Sequence, residues 1–416
     1  MRRLATMGRD RLDLLYLSPF PPSPPTFGAQ RRVQGLMAAG GGRHDITAVS
    51  LITPELDAGS AERAMREYCR EVVLVPARPW RGAQKRMLQA RSLVSSRSFE
   101  RRLYDLPRLR RVLDSLLSRR AFDVVTVELP FLAHGLLASV PRRRQRPRLL
   151  LDEHNIEFDL ARQQARNQSG IARRIHNATN WPKIKREEMD LWRRFDGVTF
   201  CSEKDEARAR ALVPSMRTAV VPNAADVQYF KPRPSDPTPD GRTVIFFGAI
   251  NYYPNVDGLL YLLREIWPLI ARSHPQARLQ IVGQHPTPEI LAFQGPSVEV
   301  TGSVDDVRPH LARAAVSIVP LRIGGGTRFK ILEAMAMARP VVSTSLGAEG
   351  IEAEPERQLL VADDPGAFAR AVARVLDDAQ LADRLGREGR SLVERRYSWD
   401  AAAQRLDLFF REVLAS

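Results

Sequence analysis

The sequence predicts an α/β protein made of two successive domains, each a parallel sheet interleaved with helices. Three observations predict it. First, short apolar runs bounded by turn residues alternate with stretches whose apolar residues recur at helical spacing, and they do so along almost all of the 416 residues. Second, many of these runs end in glycine or in polar residues, as strands do where a parallel sheet hands over to its loops. Gly248, Gly283 and Gly302 end three runs in the second half, and Glu128 and Asp152 follow two in the first. Third, the segment KPRPSDPTPDGR at 231–242 is the clearest linker in the chain. It divides a domain at 1–230 from one at 243–396, with a last helix at 397–416.

In order, residues 12–18 read as a strand, and the loop after them holds too many prolines for a helix. Gly28 precedes a helix running to about Ala39, with Val33, Leu36 and Met37 apolar. Strands follow at 45–51 and 72–75. Residues 80–120 mix Trp80, Met87, Leu88, Leu93, Val94, Phe99, Leu103 and Tyr104 with arginines and read as helical. That pattern fits helices with one face on the sheet and a solvated basic face, and it also fits a surface lying on anionic lipid. The strand at 123–127 ends at Glu128. The strand at 148–151 ends at Asp152-Glu153-His154-Asn155. In open parallel sheets ligands sit outside the carboxyl ends of strands, so Glu128 and His154 stand where chemistry is done. Asp152, Glu153, His154 and Glu157 are metal-capable residue types, but neighbours on an extended segment point apart. Helices across 159–195, a strand at 198–202, a helix from Glu203 and a strand at 218–221 complete the first domain.

The second domain repeats the alternation: a strand at 243–247, a loop at 248–254 and a helix at 255–273. Strands then fall at 279–282, 298–301, 315–319, 341–343 and 359–361, with helices between and after them at 306–314, 365–377, 379–396 and 399–414. The stretch 316–338, VSIVPLRIGGGTRFKILEAMAMA, holds a strand, a glycine loop and a helix start. Unpaired N–H groups at such a helix start, with the positive end of its dipole behind them, form an anion site that glycines let a ligand approach. Arg322, Arg328 and Lys330 add full charges, so the stretch reads as a phosphate site. Glu333 sits among Leu332, Ala334 and Met335 on the same helix. A carboxylate is costly to bury unpaired, so this one points to function.

The net charge of +15 is uneven: residues 1–240 carry +16 and residues 241–416 carry −1. Only six of the 63 basic residues are lysines. Genomic codon bias explains arginine over lysine, yet it does not concentrate charge in one half. A one-sided basic surface suggests an anionic partner: a membrane face, a phosphorylated acceptor or nucleic acid. No nucleic-acid recognition motif accompanies it, and nucleic acid is not expected as the partner. Two cysteines, Cys69 and Cys201, form neither a disulfide framework nor a metal cluster, which fits a reducing compartment. No run reaches the ~18 apolar residues of a membrane span, and the charged N-terminus does not read as a signal peptide. A cytoplasmic location is expected.

Six segments in order carry a resemblance: VVPNAADVQYF at 220–230, FFGAINYYPNVDGL at 246–259, LQIVG at 279–283, PLRIGGGTRFKILEAMAMARPVVST at 320–344, GAEGI at 347–351 and LLVADDPGAFARAV at 359–372. They resemble the family-four retaining glycosyltransferases, and among these the bacterial sugar transferases of exopolysaccharide and related surface-glycan clusters. The resemblance covers almost the whole chain and is tightest across 218–396.

It implies the GT-B architecture, two Rossmann-like domains facing across a cleft. It also implies a nucleoside diphosphate sugar as donor substrate, no cofactor and no metal, since nothing resembles the Asp-x-Asp motif of the other large glycosyltransferase fold. The acceptor would be a glycan or lipid-linked hydroxyl, attacked with retention. The enzyme would be peripheral on the inner membrane face through its basic first domain.

The family pattern has a pair of glutamates. The second matches Glu333, which would bind ribose hydroxyls, and the first falls at Gly325. The backbone of Gly324, Gly325, Gly326 and Thr327 would take over part of the sugar contact. The loop after the first strand of the second domain lacks the family's Arg and Lys, leaving Lys330 and Arg322 as the expected diphosphate charges, with Arg328 behind them. Gly248, Asn251 and Gly283 complete the expected donor site. The loop at Gly28, with Arg31 and Arg32 on the helix after it, resembles the family's glycine loop beside phosphate and acceptor. Glu128 stands where many members hold a histidine, and His154 ends the next strand. Both are expected to orient the sugar or the acceptor hydroxyl. A nucleotide-sugar epimerase of the same fold and a non-catalytic nucleotide-sugar-binding protein are the competing readings.

Overall fold

Strand-forming runs of Leu, Val, Ile and Phe build two all-parallel sheets. The computed structural model describes residues 10–78, 81–140, 146–167, 171–324 and 326–416. Trp80 and Gly325 therefore lie outside the described residues. The chain divides into two units, one of Met1–Val221 with Ala403–Ser416 and the other Pro222–Ala402.

In the first unit, strands β1 (Asp13–Ser18), β2 (Asp45–Ile52), β3 (Glu71–Pro76), β4 (Val124–Glu128), β5 (Arg148–Glu153), β6 (Gly197–Phe200) and β7 (Thr218–Val220) form one sheet in the order β3-β2-β1-β4-β5-β6-β7. Every pairing is parallel. Such strands are covered on both faces, which explains their near-continuous apolar runs. Leu15, Leu17, Val125, Val127, Leu149, Leu151 and Trp192 meet in one core. The order reverses between β1 and β4, so the loops leaving these two strands flank the switch point where doubly wound sheets bind ligands.

Residues 80–120 form three helices, Gly82–Leu93, Phe99–Leu103 and Pro107–Arg119. Ser98 caps the second by accepting a hydrogen bond from the Arg101 N–H, and Pro107 opens the third. Two more helices, Ala58–Arg66 and Ala133–Ser139, were not legible in the sequence pattern. The last helix, Trp399–Ala415, places its Ala403–Ser416 part in the first unit, where the Phe409 ring lies against Gly197 and Asp407 pairs with His44 at 3.0 Å.

The second unit holds β8 (Thr243–Phe247), β9 (Arg278–Val282), β10 (Val298–Gly302), β11 (Val316–Val319), β12 (Val341–Ser343) and β13 (Leu360–Val361), in the order β10-β9-β8-β11-β12-β13. All are parallel, and the switch point falls between β8 and β11. The unit begins at Pro222, ahead of the residue 230 expected from the proline-rich segment. The reason is packing: Ala225 and Phe230 are buried in the second unit's core with Ile331, Met335 and Tyr397. The helix expected from residue 255 starts at Tyr253, with Pro254 in its first turn. It passes through a π-helical turn, Leu262–Ile266, into Trp267–Ser273.

Candidate functional site

The second unit's site grows from the two loops at its switch point. β8 runs into Gly248 and β11 into Pro320 and the glycine loop, and helix Phe329–Ala336 leaves that loop. Gly248, Gly324 and Gly326 have φ of 139°, 130° and 68°, a region side chains rarely enter. A Cβ on Gly283 would lie 1.8 Å from the carbonyl oxygen of Gly248. The end of β9 therefore locks the Gly248 loop by contact that only glycine allows. Gly283→Ala is expected to cost about 3 kcal/mol of the second unit's stability, read as a lowered urea midpoint. A midpoint equal to that of the unsubstituted chain would show that the loop has slack.

Lys330 points at this loop. Its Nζ donates to Asn255 Oδ1 at 2.8 Å and lies 3.9 Å from the centroid of the Phe246 ring. A Cβ on Gly248 would come within 3.1 Å of that Nζ. Burial first, and then the charge of Arg328, push the Lys330 ammonium down to about 7, against the pull of Glu333. Lys330 is also the sole lysine among the 20 basic residues of 241–416. Arg328 crosses the glycine loop: its Nη1 donates to the Gly326 carbonyl at 2.6 Å, and a Cβ on Gly324 would meet its Nη2 at 3.1 Å. Thr327 is buried, and its carbonyl accepts from Asn223 Nδ2 at 3.1 Å. Glu333 is buried one turn further along the same helix, at 4% exposure.

Two expectations change here. Asn251 is exposed in the turn, whereas Asn255 reaches the site: its Oδ1 holds Lys330 and its Nδ2 donates to the Ala249 carbonyl at 2.8 Å. The signal was available, since an Asn in the first turn of a helix folds its side chain back onto the preceding loop. Arg322, expected at a diphosphate, is forked onto Asp257 at 2.9 and 3.1 Å and lies 4.5 Å from the Tyr261 ring centroid. Arg328 takes its place as the guanidinium on the glycine loop.

The first unit gathers polar residues at the carboxyl ends of β4 and β5. Alternation along β5 sends Asp152 and His154 to one face and Glu153 to the other, where its Oε1 accepts from Trp192 Nε1 at 2.8 Å. Glu128 from β4 joins the first pair. His154 Nε2 lies 3.1 Å from Glu128 Oε2 and 3.3 Å from Asp152 Oδ2. Burial first, then the Asp152 charge, push the Glu128 carboxyl up to about 7. Burial opposes charge on His154, but its hydrogen bonds to Asp152 and Glu128 outweigh it and raise its pKa. Both shifts favour the protonated form of each group. Glu128 Oε1 and His154 Nδ1 are buried with no hydrogen-bond partner among the described residues. The next residue, Leu129, is held at φ 67°, a strained conformation at the end of a switch-point strand.

Arg32 is not offered to a phosphate. It is 1% exposed, and its Nε and Nη2 grip both Asp152 oxygens at 2.7 Å each. Gly28 is the first residue of helix Gly28–Gly41, and Arg31, one position before Arg32, is exposed. The metal-capable set is also not the contiguous one: Glu128, Asp152 and His154 bring ligand atoms within 4.8 Å of one another. Their spacing would admit an ion. The donor set does not favour one, because Asp152 is already bonded to Arg32 and Thr199 and a guanidinium repels a cation at that spot.

Comparison with known proteins agrees with the two-unit fold. Residues 27–224 match the family model described as glycosyl transferase 4-like domain, and residues 241–378 match glycosyl transferases group 1. An uncharacterized 44.6 kDa protein in the cps region of Klebsiella pneumoniae is 24% identical over 54% of this chain, a match spanning 58% of that protein's length. The GDP-mannose-dependent alpha-(1-6)-phosphatidylinositol monomannoside mannosyltransferase of Mycobacterium tuberculosis is 28% identical over 64% of this chain and 78% of its own. Sucrose-phosphate synthase of Thermosynechococcus elongatus superposes with a TM-score of 0.72 at 18% identity, covering 97% of this chain and 99% of its own. Anabaena HepE, solved with UDP and with UDP-glucose, superposes at 0.67 and 0.66 with 14% identity, covering 96% of this chain and all of its own. The chain belongs to the GT-B glycosyltransferases, with a glycosyl transferase 4-like domain followed by a group 1 domain.

Proposed function

We propose that the protein transfers a sugar from a nucleoside diphosphate sugar to a hydroxyl of a glycan or lipid-linked acceptor in surface polysaccharide synthesis, with retention of anomeric configuration. One observation carries this reading. At the second unit's switch point the glycine backbone, Lys330, Arg328 and the buried Glu333 all belong to one loop-and-helix start. That set supplies what a nucleoside diphosphate needs. Lys330 and Arg328 neutralise the charge that grows on the leaving diphosphate, with no metal or cofactor required. Glu333 accepts from the ribose hydroxyls. Glu128 and His154, in contact at 3.1 Å, orient the sugar or the acceptor hydroxyl. The leaving diphosphate takes the acceptor proton on the face it departs from, so no protein nucleophile is needed. HepE was crystallised with UDP and with UDP-glucose, and the mycobacterial relative is a GDP-mannose-dependent phosphatidylinositol monomannoside mannosyltransferase, which supports this choice of donor and acceptor class. No helix among the described residues is long and apolar enough to cross a membrane, and the basic first half is proposed to meet an anionic membrane surface.

A thermal-shift screen of UDP-, GDP- and ADP-sugars tests the donor, because a bound ligand stabilises by mass action. NMR of the product from the stabilising donor then tests transfer and retention. Donor converted without any acceptor would mark an epimerase, and stabilisation with neither transfer nor hydrolysis a binding protein. Glu333→Ala and Glu333→Gln are each expected to lower turnover at least about tenfold with an unchanged melting temperature, as loss of a charged hydrogen-bond acceptor does. Turnover within about twofold of the unsubstituted enzyme would remove Glu333 from the site.

A further inference from the structure

A second set of charges in the first unit is unused by this reading. Helices Phe99–Leu103, Pro107–Arg119 and Ala133–Ser139 and the end of Ile171–Arg194 enclose a cavity of about 230 Å³. Arg97, Arg101, Arg110 and Arg194 line it, against one lining carboxylate, Asp105. Asp105 holds Arg110 at 2.9 Å. Arg101 and Arg194 lean on Glu187 and Asp190, at 3.5 and 3.3 Å, while Arg97 has no ion pair among the described residues. The remaining wall is apolar, made by Tyr104 and Phe131 stacked at 5.3 Å between centroids and 12° between planes.

Three of the four guanidiniums already pair with a carboxylate, each with further N–H donors to offer, and Arg97 adds a positive charge that no ion pair among the described residues offsets. A trace of that field is visible on His134 in the same wall. Burial first, and then the charges of Arg101, Arg194 and Arg97, push its imidazole down to about 4, against the pull of Asp190. It is therefore neutral near pH 7 and adds no charge of its own to the cavity. Its Nε2 is buried with no hydrogen-bond partner among the described residues. A neutral imidazole is free to donate one N–H.

We propose that this cavity binds a phosphate or diphosphate group. Forked guanidiniums arriving from several directions match the tetrahedral oxygens of phosphate better than the planar pair of a carboxylate. The aromatic wall lowers the local dielectric and strengthens those contacts. The size is below the 300–1,000 Å³ typical of drug-sized pockets, which fits a phosphate head with the rest of its molecule outside. The site does not depend on the transfer reaction proposed above.

The test is calorimetric titration of the full chain with inorganic pyrophosphate. Lys330→Ala is the background, so that the second unit's lysine does not contribute. Arg97→Ala with Arg194→Ala removes two exposed cations, and circular dichroism confirms the fold. The paired Arg97→Lys and Arg194→Lys variant keeps charge without the fork. Binding weakened at least about tenfold by the alanines and less by the lysines supports the site. No binding in the background protein, or equal binding in the alanine variant, overturns it. Vesicles of phosphatidylcholine with phosphatidic acid identify the source. Co-sedimentation that pyrophosphate competes away and the alanines abolish supports the site with a lipid headgroup as ligand. Pyrophosphate binding without co-sedimentation supports it with a soluble phosphate ester.

Discussion

Asp152→Ala should destabilise the first unit by about 3–5 kcal/mol, because it removes the carboxylate that the Nε and Nη2 of the buried Arg32 guanidinium both grip. Arg32 is 1% exposed and Asp152 2% exposed, and both oxygens of the carboxylate are engaged by the guanidinium. Burial alone would raise the pKa of Asp152, yet the charge of Arg32 holds it well below the usual carboxylate range. Desolvating both ions is expensive, and the bidentate bond offsets that cost only while both are present. The melting temperature should fall by roughly 10 °C for a unit of this size. A double variant, Asp152→Ala with Arg32→Met, should recover most of the loss, since replacing a buried pair with apolar side chains is often close to neutral. Differential scanning calorimetry decides the matter. A loss under about 1 kcal/mol for the single variant would mean that water or a shifted side chain reaches Arg32. The same measurement bears on function, because an arginine that holds the β5 end in place is a positioning residue and not a phosphate ligand.

Lys330→Ala should weaken nucleoside diphosphate binding by roughly tenfold to a hundredfold, the range of a charged hydrogen bond of about 1.5–3 kcal/mol. The accompanying pH dependence is more specific. In the free protein Lys330 titrates at about 7, so its ammonium is half neutral there. A diphosphate binds the charged form and raises that pKa, so binding takes up a proton. Affinity should therefore be highest below pH 7 and fall as pH rises above it, by up to about one log unit per pH unit. Below pH 7 the lysine is already charged and this contribution levels off. Calorimetry in two buffers of different ionisation enthalpy would count the proton taken up at pH 8. No proton uptake in the unsubstituted chain, or the same uptake in Lys330→Ala, would exclude the assignment.

The sequence was most informative where the cause is local. Apolar period, proline and glycine placed nearly every strand within a residue or two. Glu333 was legible because a carboxylate inside an apolar helical stripe conflicts with its neighbours unless it has a role. Lys330 was legible by its distance from the helix start. The helices at Ala58–Arg66 and Ala133–Ser139 were missed because they are too short for a helical period to show in the sequence.

By itself the sequence determined the doubly wound class, the glycine loop before Phe329–Ala336 and the residue types offered to a phosphate. These follow from periodicity and backbone sterics, which act over a few positions. The tertiary structure decided which charges are free to act. Arg32 and Asp152 are 120 residues apart and Lys330 and Asn255 are 75 apart, so their partnership depends on strand order alone. The sheet order placed β4 beside β5 and β8 beside β11, and that brought Glu128 to His154 and Gly248 to Lys330. It also buried Arg32, turned Arg322 onto Asp257 and drew Arg97 and Arg194 to one cavity. A charge in a sequence is only a residue type. Its desolvation and its partner, which set what it can bind, exist only once the chain has folded.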